Sequence, residues 1–371
     1  MKVNFCGPIF APSGYGEFSR YFIDSLNKSN FEISVEVIPI DVNKNTDYGN
    51  KGKVCKKLMS KKSEKPDFNI INMIPPMFNQ YRKKDCVNIG FTMWEADNLP
   101  PLWTKLCNDM DAILVPCFWN KKVFEDSGVT VPVHVVQPGI STEEFPPIQG
   151  EMWPNEYKFY SIFQWTERKN PKALLTAYFS SFDESDNVSL TLKTSKPSLN
   201  NGLSILQEIE KIKSEIKLSP GRNFPKLKVV SELLSKGAMS DFHQAHNCFV
   251  SSHRSEAWGM SLMDAMAHGN LVIGTDYSGN KDFMNEKNSL LIDSKQAPVS
   301  NMAPYAPWFF ANSMNWADID VSELMDSMKS VVQNNGDYKK LSEQGRENIR
   351  LNFNNEKSSH QLSHALSSLI R

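Results

Sequence analysis

Short apolar runs rich in β-branched and aromatic residues alternate with longer amphipathic stretches along the chain. In the first part the runs fall at 2–6, 32–40, 68–74, 87–93, 112–116 and 133–136, and a helix is expected from about Glu17. This alternation predicts βαβ units and a mainly parallel sheet. Between 139 and 157 the pattern breaks at Pro146, Pro147, Gly150 and Pro154, which predicts an interdomain linker. The runs resume at 157–163, 189–194, 227–234, 248–252, 271–275 and 289–293, so a second open α/β domain is expected. From about 321 the periodicity is helical throughout, long enough for a last helix to return and brace the first domain. The expected layout is thus an α/β chain of two Rossmann-like domains with parallel sheets, 1–148 and 149–350, and a returning helix at 351–371.

A length of 371 residues suits two such domains. With 22% charged residues and a formal net charge of −1, the composition excludes a disordered or globally basic chain and names no partner. The cysteines Cys6, Cys55, Cys86, Cys107, Cys117 and Cys248 form no C-x-x-C pair, which points to a reducing compartment rather than to a disulfide framework or a zinc site. The first residues read as a strand entering a glycine turn rather than a signal peptide, and no run approaches transmembrane length. A cytoplasmic protein is expected, with peripheral membrane contact as an alternative.

In open α/β sheets ligands bind beyond the carboxyl ends of strands, so strand-following loops are the places to search. In the loop 7–16, Gly14 and Gly16 let backbone approach a ligand, or simply let the chain turn. The loop 164–171 sets Arg168 and Lys169 ahead of Pro171, which is placed to open a helix. Cations at a helix N-terminus oppose its dipole unless an anion is present, so the pair suits a diphosphate; a solvated pair is the other reading. In 251–269, Glu256 precedes a helix and Asp264 follows about two turns on, so both acids can border one crevice while Gly259 offers its amide. The segment 92–97 leaves a first-domain strand toward the same cleft, and Glu95 is a candidate to touch a ligand there. His243 with His246, and His360 with His364, lack a completing acid or cysteine and read as solvated helix faces, so no metal site is expected.

At Glu256 and Asp264 the sequence resembles the family 4 retaining glycosyltransferases of the GT-B fold (glycosyl transferases group 1). Their mark is two acids separated by seven residues in a segment like E-G-x-G-x-x-x-x-E-A-M-A-x-G. The spacing is kept, with Asp264 as the second acid and Ala257 where glycine is usual. The resemblance extends to the glycine loop, the Glu95 region, 111–139 ending in Val-Val-Gln-Pro-Gly, the Glu-Arg-Lys-Asn-Pro loop and 277–283. It implies that Lys169, with Arg168 beside it, holds the donor diphosphate, that Glu256 lies near the transferred sugar, and that Asp264 faces the nucleotide ribose. An earlier arginine found in many relatives has no match, since Ile162, Phe163, Gln164 and Trp165 stand there. Gly14, Gly16, Trp258, Gly259 and Met260 complete the donor contacts, and Glu256, Lys169, Arg168 and Glu95 are the catalytic candidates. The implied reaction is metal-independent transfer of a hexose or pentose from a nucleotide diphosphate sugar, UDP-sugar favoured, with retention and with no further cofactor.

Two rival classes remain to be weighed. A catalytically silent accessory protein of the same fold would account for Asp264 and Ala257. An NAD-linked enzyme would require a full G-x-G-x-x-G, which Gly14-Tyr15-Gly16 followed by Ser19 does not supply. For the acceptor, a saccharide or lipid-linked saccharide is the default. The lysine-rich stretch from Lys51 to Lys65 reads as a solvated face, as a membrane contact through Val54, Leu58 and Met59, or as a track for nucleic acid bearing a hydroxylated base.

Overall fold

The computed structural model describes residues 1–40, 47–61, 65–141, 145, 156–195, 204–216, 223–300, 310–311 and 313–370. Pro146, Pro147, Gly150 and Pro154, expected to mark the linker, lie outside the described residues, as do positions 62–64 of the lysine-rich stretch. Strands β1 (Lys2–Gly7), β2 (Glu32–Val37), β3 (Phe68–Asn72), β4 (Val87–Phe91), β5 (Ala112–Val115) and β6 (Val133–Val135) form one sheet in the order β2-β1-β3-β4-β5-β6. Strands β7 (Tyr157–Gln164), β8 (Val188–Ser195), β9 (Lys226–Val230), β10 (Cys248–Ser251), β11 (Leu271–Thr275) and β12 (Leu290–Ile292) form a second, in the order β12-β11-β10-β7-β8-β9. Every pairing in both sheets is parallel. The expected pair of parallel-sheet α/β domains is therefore present.

Helices α1 (Gly14–Asn27), α2 (Gly49–Met59), α3 (Phe78–Tyr81), α4 (Pro101–Asn108) and α5 (Phe118–Asp126) accompany the first sheet. Helices α6 (Pro171–Ser181), α7 (Ile205–Glu215), α8 (Lys236–Gln244), α9 (Met260–His268), α10 (Val321–Gln333) and α11 (Lys339–Asn352) accompany the second. The last helix, α12 (Asn355–Ser367), crosses back: Leu362, Ala365 and Leu366 pack into the first core with Phe18 and Phe22 of α1. An isolated bridge between Ile140 and Asn354 marks the crossing.

Several expected strands end early, β2 at Val37, β3 at Asn72, β4 at Phe91 and β9 at Val230. Ile38 and Met73 are buried nonetheless, so their hydrophobicity reflects packing after the ladder has ended, and Pro39 and Pro75 cannot donate to it. An element absent from the sequence expectation is the antiparallel hairpin β13 (Ser294–Pro298) and β14 (Asn315–Ile319). Its strands read Ser-Lys-Gln-Ala-Pro and Asn-Trp-Ala-Asp-Ile, too short and polar to stand out. Tertiary docking explains it. Trp316 is buried in the core that holds Trp94 and Trp103, Phe310 stacks on Trp94 at 4.6 Å, and Asn315 bonds both carboxylate oxygens of Asp97 at 2.6 and 2.9 Å.

Positions 51–59 of the lysine-rich stretch lie in helix α2, and its faces differ from the expectation. Lys51 is buried with its Nζ 4.0 Å from the Tyr21 ring centroid. Leu58 lies in the core and Val54 packs against it, which leaves Met59 alone of the apolar trio exposed. Lys53, Lys56, Lys57 and Lys61 do face solvent. His243 is also not on a solvated face: it is buried, bonded to the Tyr160 hydroxyl at 2.7 Å and stacked on His268 at 4.6 Å. His360 and His364 are exposed, as read. Among the described residues no helix is long and apolar enough to cross a membrane.

A polar stripe crosses the first sheet at one register level, where Ser34, Asn4, Asn69 and Asn88 stand side by side on β2, β1, β3 and β4. The Ser34 hydroxyl donates to Asn4 at 3.0 Å, Asn4 to Asn69 at 2.8 Å, and Asn69 to Asn88 at 3.0 Å. All four are buried, and the Asn4 amide nitrogen takes Asn69 as its acceptor. Asn69→Leu would leave that buried nitrogen without its acceptor. It is expected to destabilise the fold by about 3 kcal/mol, read as a lowered midpoint of chemical unfolding at unchanged slope; an unchanged midpoint would show that the stripe contributes nothing.

Candidate active site

In the second sheet β7 lies beside β10, at the point where strand order reverses, so the loops leaving their carboxyl ends are neighbours. One carries Arg168 and Lys169; the other carries Glu256. After β7 a single helical turn, Glu167–Lys169, ends at Asn170 in the left-handed region with φ 52°. Asn170 then caps α6 by accepting the Ala173 amide at 3.3 Å, with Pro171 in the first turn. The two loops are stitched together: the Arg254 amide donates to the Arg168 carbonyl at 2.7 Å, and the Ser252 hydroxyl to the Asn170 carbonyl at 2.8 Å.

Glu256 is fixed from the other side by the turn after β11. Its amide donates to the Ser278 hydroxyl at 2.8 Å and its carbonyl accepts the Gly279 amide at 2.9 Å. Ser278 holds φ 72°, a left-handed conformation uncommon outside glycine, and such strain concentrates where a side chain must be aimed. His253 is buried beneath, its Nε2 donating to Asn280 Oδ1 at 3.0 Å while Nδ1 accepts from Ser251 at 2.9 Å. The Asn280 amide nitrogen donates to the Thr275 carbonyl, which fixes its oxygen as the acceptor and makes His253 the neutral Nε2–H tautomer.

The charged groups converge. Lys169 Nζ contacts Glu256 Oε1 directly, Arg168 Nη1 lies 3.5 Å from Glu256 Oε2, and Arg168 Nη2 lies 3.4 Å from Glu95 Oε1 of the first domain. Arg168 Nη1 also donates to the Ser255 carbonyl at 2.7 Å. Burial alone would raise the Glu256 pKa, but Lys169 and Arg168 outweigh it and hold the carboxyl at about 2. Burial lowers Lys169 from the ordinary lysine value, and Glu256 offsets only part of that. Burial also works against Arg168, yet Glu95 and Glu256 more than compensate and raise it. Burial pushes His253 down to about 4.

The remaining sequence candidates divide. A Cβ at Gly16 would stand 2.1 Å from the Ala11 carbonyl oxygen, so this glycine is required by the turn, whereas Gly14 has open space around it. Gly259, at φ 94°, adopts a positive φ as the cap residue just before α9. Met260 packs between α1 and the second domain. The Trp258 ring is buried, donating to Met263 Sδ at 3.3 Å and packed on Phe283 and Phe353, so only its backbone is available to a ligand. Asp264 sits in a network apart from Glu256: it accepts the Tyr21 hydroxyl of α1 at 2.7 Å, and burial raises its pKa against the pull of Lys236. Tyr21, Lys236, Arg254, Ser278 and Asn280 all contribute here and were not singled out from sequence. The run 277–283 carried a signal only as part of the family pattern.

Two parallel-sheet domains whose strand-following loops meet across a cleft are the arrangement of the GT-B fold. Residues 222–300 match the family described as glycosyl transferases group 1. No curated protein sequence matches it significantly. Among solved structures, sucrose-phosphate synthase from Thermosynechococcus elongatus superposes with a TM-score of 0.71 at 14% identity, over 100% of this chain and 99% of that one. HepE of Anabaena, solved with UDP and glucose, gives 0.68 at 12% identity over 99% and 100%. TarM of S. aureus gives 0.59 at 13% identity, over 80% of this chain and 54% of that one.

The shifts fix a pH dependence. Glu256 falls from 4.5 to about 2 and His253 from 6.5 to about 4, so on acidification the unfolded chain binds protons before the folded one does. Stability is expected to fall from about pH 6.5 downward through His253, and through Glu256 from about 4.5 toward 2. Melting temperatures measured between pH 7 and 3 should give a flatter acid limb below about 4.5 for Glu256→Gln than for wild type. Parallel limbs would mean that Glu256 is not stabilised as an anion.

Proposed function

We propose that the protein transfers a sugar, with retention of anomeric configuration, from a nucleotide diphosphate donor to a hydroxyl group. The observation that carries this reading is the convergence of Arg168, Lys169 and Glu256 at the reversal of strand order, beside the Gly259 turn and the N-terminus of α9. Lys169, Arg168 and the first amides of α9 would bind the diphosphate and take up the charge that develops as it departs. The bond from C1 to the diphosphate oxygen breaks, the acceptor oxygen bonds C1 on the same face, and the acceptor proton passes to the departing phosphate. Glu256, ionised and aimed by Ser278, would orient the sugar and stabilise the cationic ring. In this scheme the positive charge comes from side chains. Glu95, contributed by the first domain, is assigned to the acceptor side. Asp264 would meet the ribose, directly or through water. A UDP-sugar is favoured because HepE, which shares this fold, is known bound to UDP-glucose. A saccharide or lipid-linked saccharide is the favoured acceptor.

The exposed lysines of α2 support a second reading of the acceptor, a polyanion such as nucleic acid. Replacing Lys56, Lys57 and Lys61 with Gln should then raise the KM for that acceptor and flatten its salt dependence, since fewer counterions are released on binding. With a neutral saccharide, KM and salt response should both stay unchanged.

Lys169→Ala is expected to lower kcat/KM about 100-fold or more, and Glu256→Ala comparably, with melting curves that remain cooperative. NMR of the first-formed product should show the donor's anomeric configuration. Near wild-type transfer by either variant would remove the assignment, and an inverted product would exclude the retaining route.

A further inference from the structure

The charge balance of this site leads one step further. The formal charges of Arg168 and Lys169 are cancelled by those of Glu256 and Glu95, all within one contiguous cluster. Arg254, the next guanidinium along, is engaged by Asp318 and by Glu167 at 3.1 Å. A diphosphate arriving at Arg168 and Lys169 therefore meets cations already matched by carboxylates, and repulsion at this depth is weakly screened. One carboxylate has to yield.

The two are held differently. Glu256 belongs to the same domain as the cations, contacts both of them, and has its backbone fixed by Ser278 and Gly279. Its side chain is 10% exposed. Glu95 comes from the opposite domain, pairs among the described residues with Arg168 at 3.4 Å, and keeps 25% of its side chain exposed. Its backbone is pinned on both sides. The Trp94 amide donates to Asn120 Oδ1 at 2.9 Å and the Trp94 carbonyl accepts Asn120 Nδ2 at 3.0 Å. Beyond it, Asp97 is tied to Asn315 of β14. The loop is strapped while the side chain can rotate out.

We infer that Glu95 is an internal anion that competes with the donor diphosphate for Arg168, so that donor binding expels Glu95 from its ion pair. This rests on the donor site proposed above. Freed from Arg168, the carboxylate stays on the first-domain side of the cleft, where it can receive an acceptor hydroxyl. The occupied donor site thereby prepares the acceptor site.

Calorimetric titration of the full chain with UDP, inorganic pyrophosphate and uridine tests this. Glu95→Gln is expected to bind UDP and pyrophosphate about five-fold tighter than wild type, with uridine unchanged, because only the charged ligands compete. Glu95→Ala should show the same tightening, so a folding defect in one variant does not decide the outcome. Unchanged or weaker UDP binding by both variants overturns the inference, as does an equal gain for uridine. Lys169→Ala separates the two levels of argument. If it weakens UDP binding about ten-fold while the Glu95 variants bind as wild type, the competition alone fails; if it leaves UDP binding unaffected, the donor site itself is misassigned.

Discussion

Two adjacent cations lie at the start of a helix whose dipole repels them, and they are retained because carboxylates reach them from both halves of the molecule. Much of the surrounding detail follows from that constraint. The left-handed Asn170 turn presents Arg168 and Lys169 together, the left-handed Ser278 turn presents Glu256 to them, and neutral His253 packs beneath without adding charge. Each part is a local backbone choice, yet the cluster exists only because β7 and β10 are neighbours in the sheet.

The seam between domains is made by several independent contacts rather than by one surface. Hairpin β13–β14 inserts Trp316 into the core of Trp94 and Trp103 and binds Asp97 through Asn315. Its backbone also reaches the loop that carries Glu256, since the Ala317 amide donates to the Arg254 carbonyl at 2.9 Å. Tyr21 bonds Asp264, Gln137 and the Phe118 amide bond Asp282, and Cys117 bonds the Ala257 carbonyl. Helix α12 completes the set from behind by packing on α1. Because these ties end on loops that carry Glu95, Arg254 and Glu256, any change in domain spacing is felt at the charged cluster.

Charge placement also separates what α2 does from what its composition suggests. Lys51 is drawn inward over the Tyr21 ring, close to the Glu17–Lys236 pair at 3.8 Å, and so belongs to the interdomain network. Glu17 is held at about 2 because Arg20 and Lys236 overcome the effect of its burial. The outward lysines of the same helix share none of these contacts. One lysine-rich stretch thus serves two environments, decided by which face of the helix each position occupies.

The strand runs, their alternation with helices, the two-domain layout and the strand-following loops were legible in the sequence because parallel βαβ units bury nearly continuous apolar runs, and those runs survive in any context. That Arg168, Lys169 and Glu256 stand on strand-following loops was legible for a related reason, since proline and glycine mark where a strand gives way to a turn. The polar stripe through Asn4, Asn69 and Asn88 was not, since asparagine in a strand looks like an interruption until its neighbours on the adjoining strands are known. Nor was the hairpin, whose short polar strands are held by Trp94 and Asp97 of the other domain, or the burial of Trp258, Lys51 and His243. Local pattern determines which residues can form an element and which loop can meet an anion. Only the tertiary structure decided which charges share a cluster, because ion pairs such as Arg168 with Glu95, and hydrogen bonds such as Tyr21 with Asp264, join positions far apart in the chain and leave no periodic trace along it.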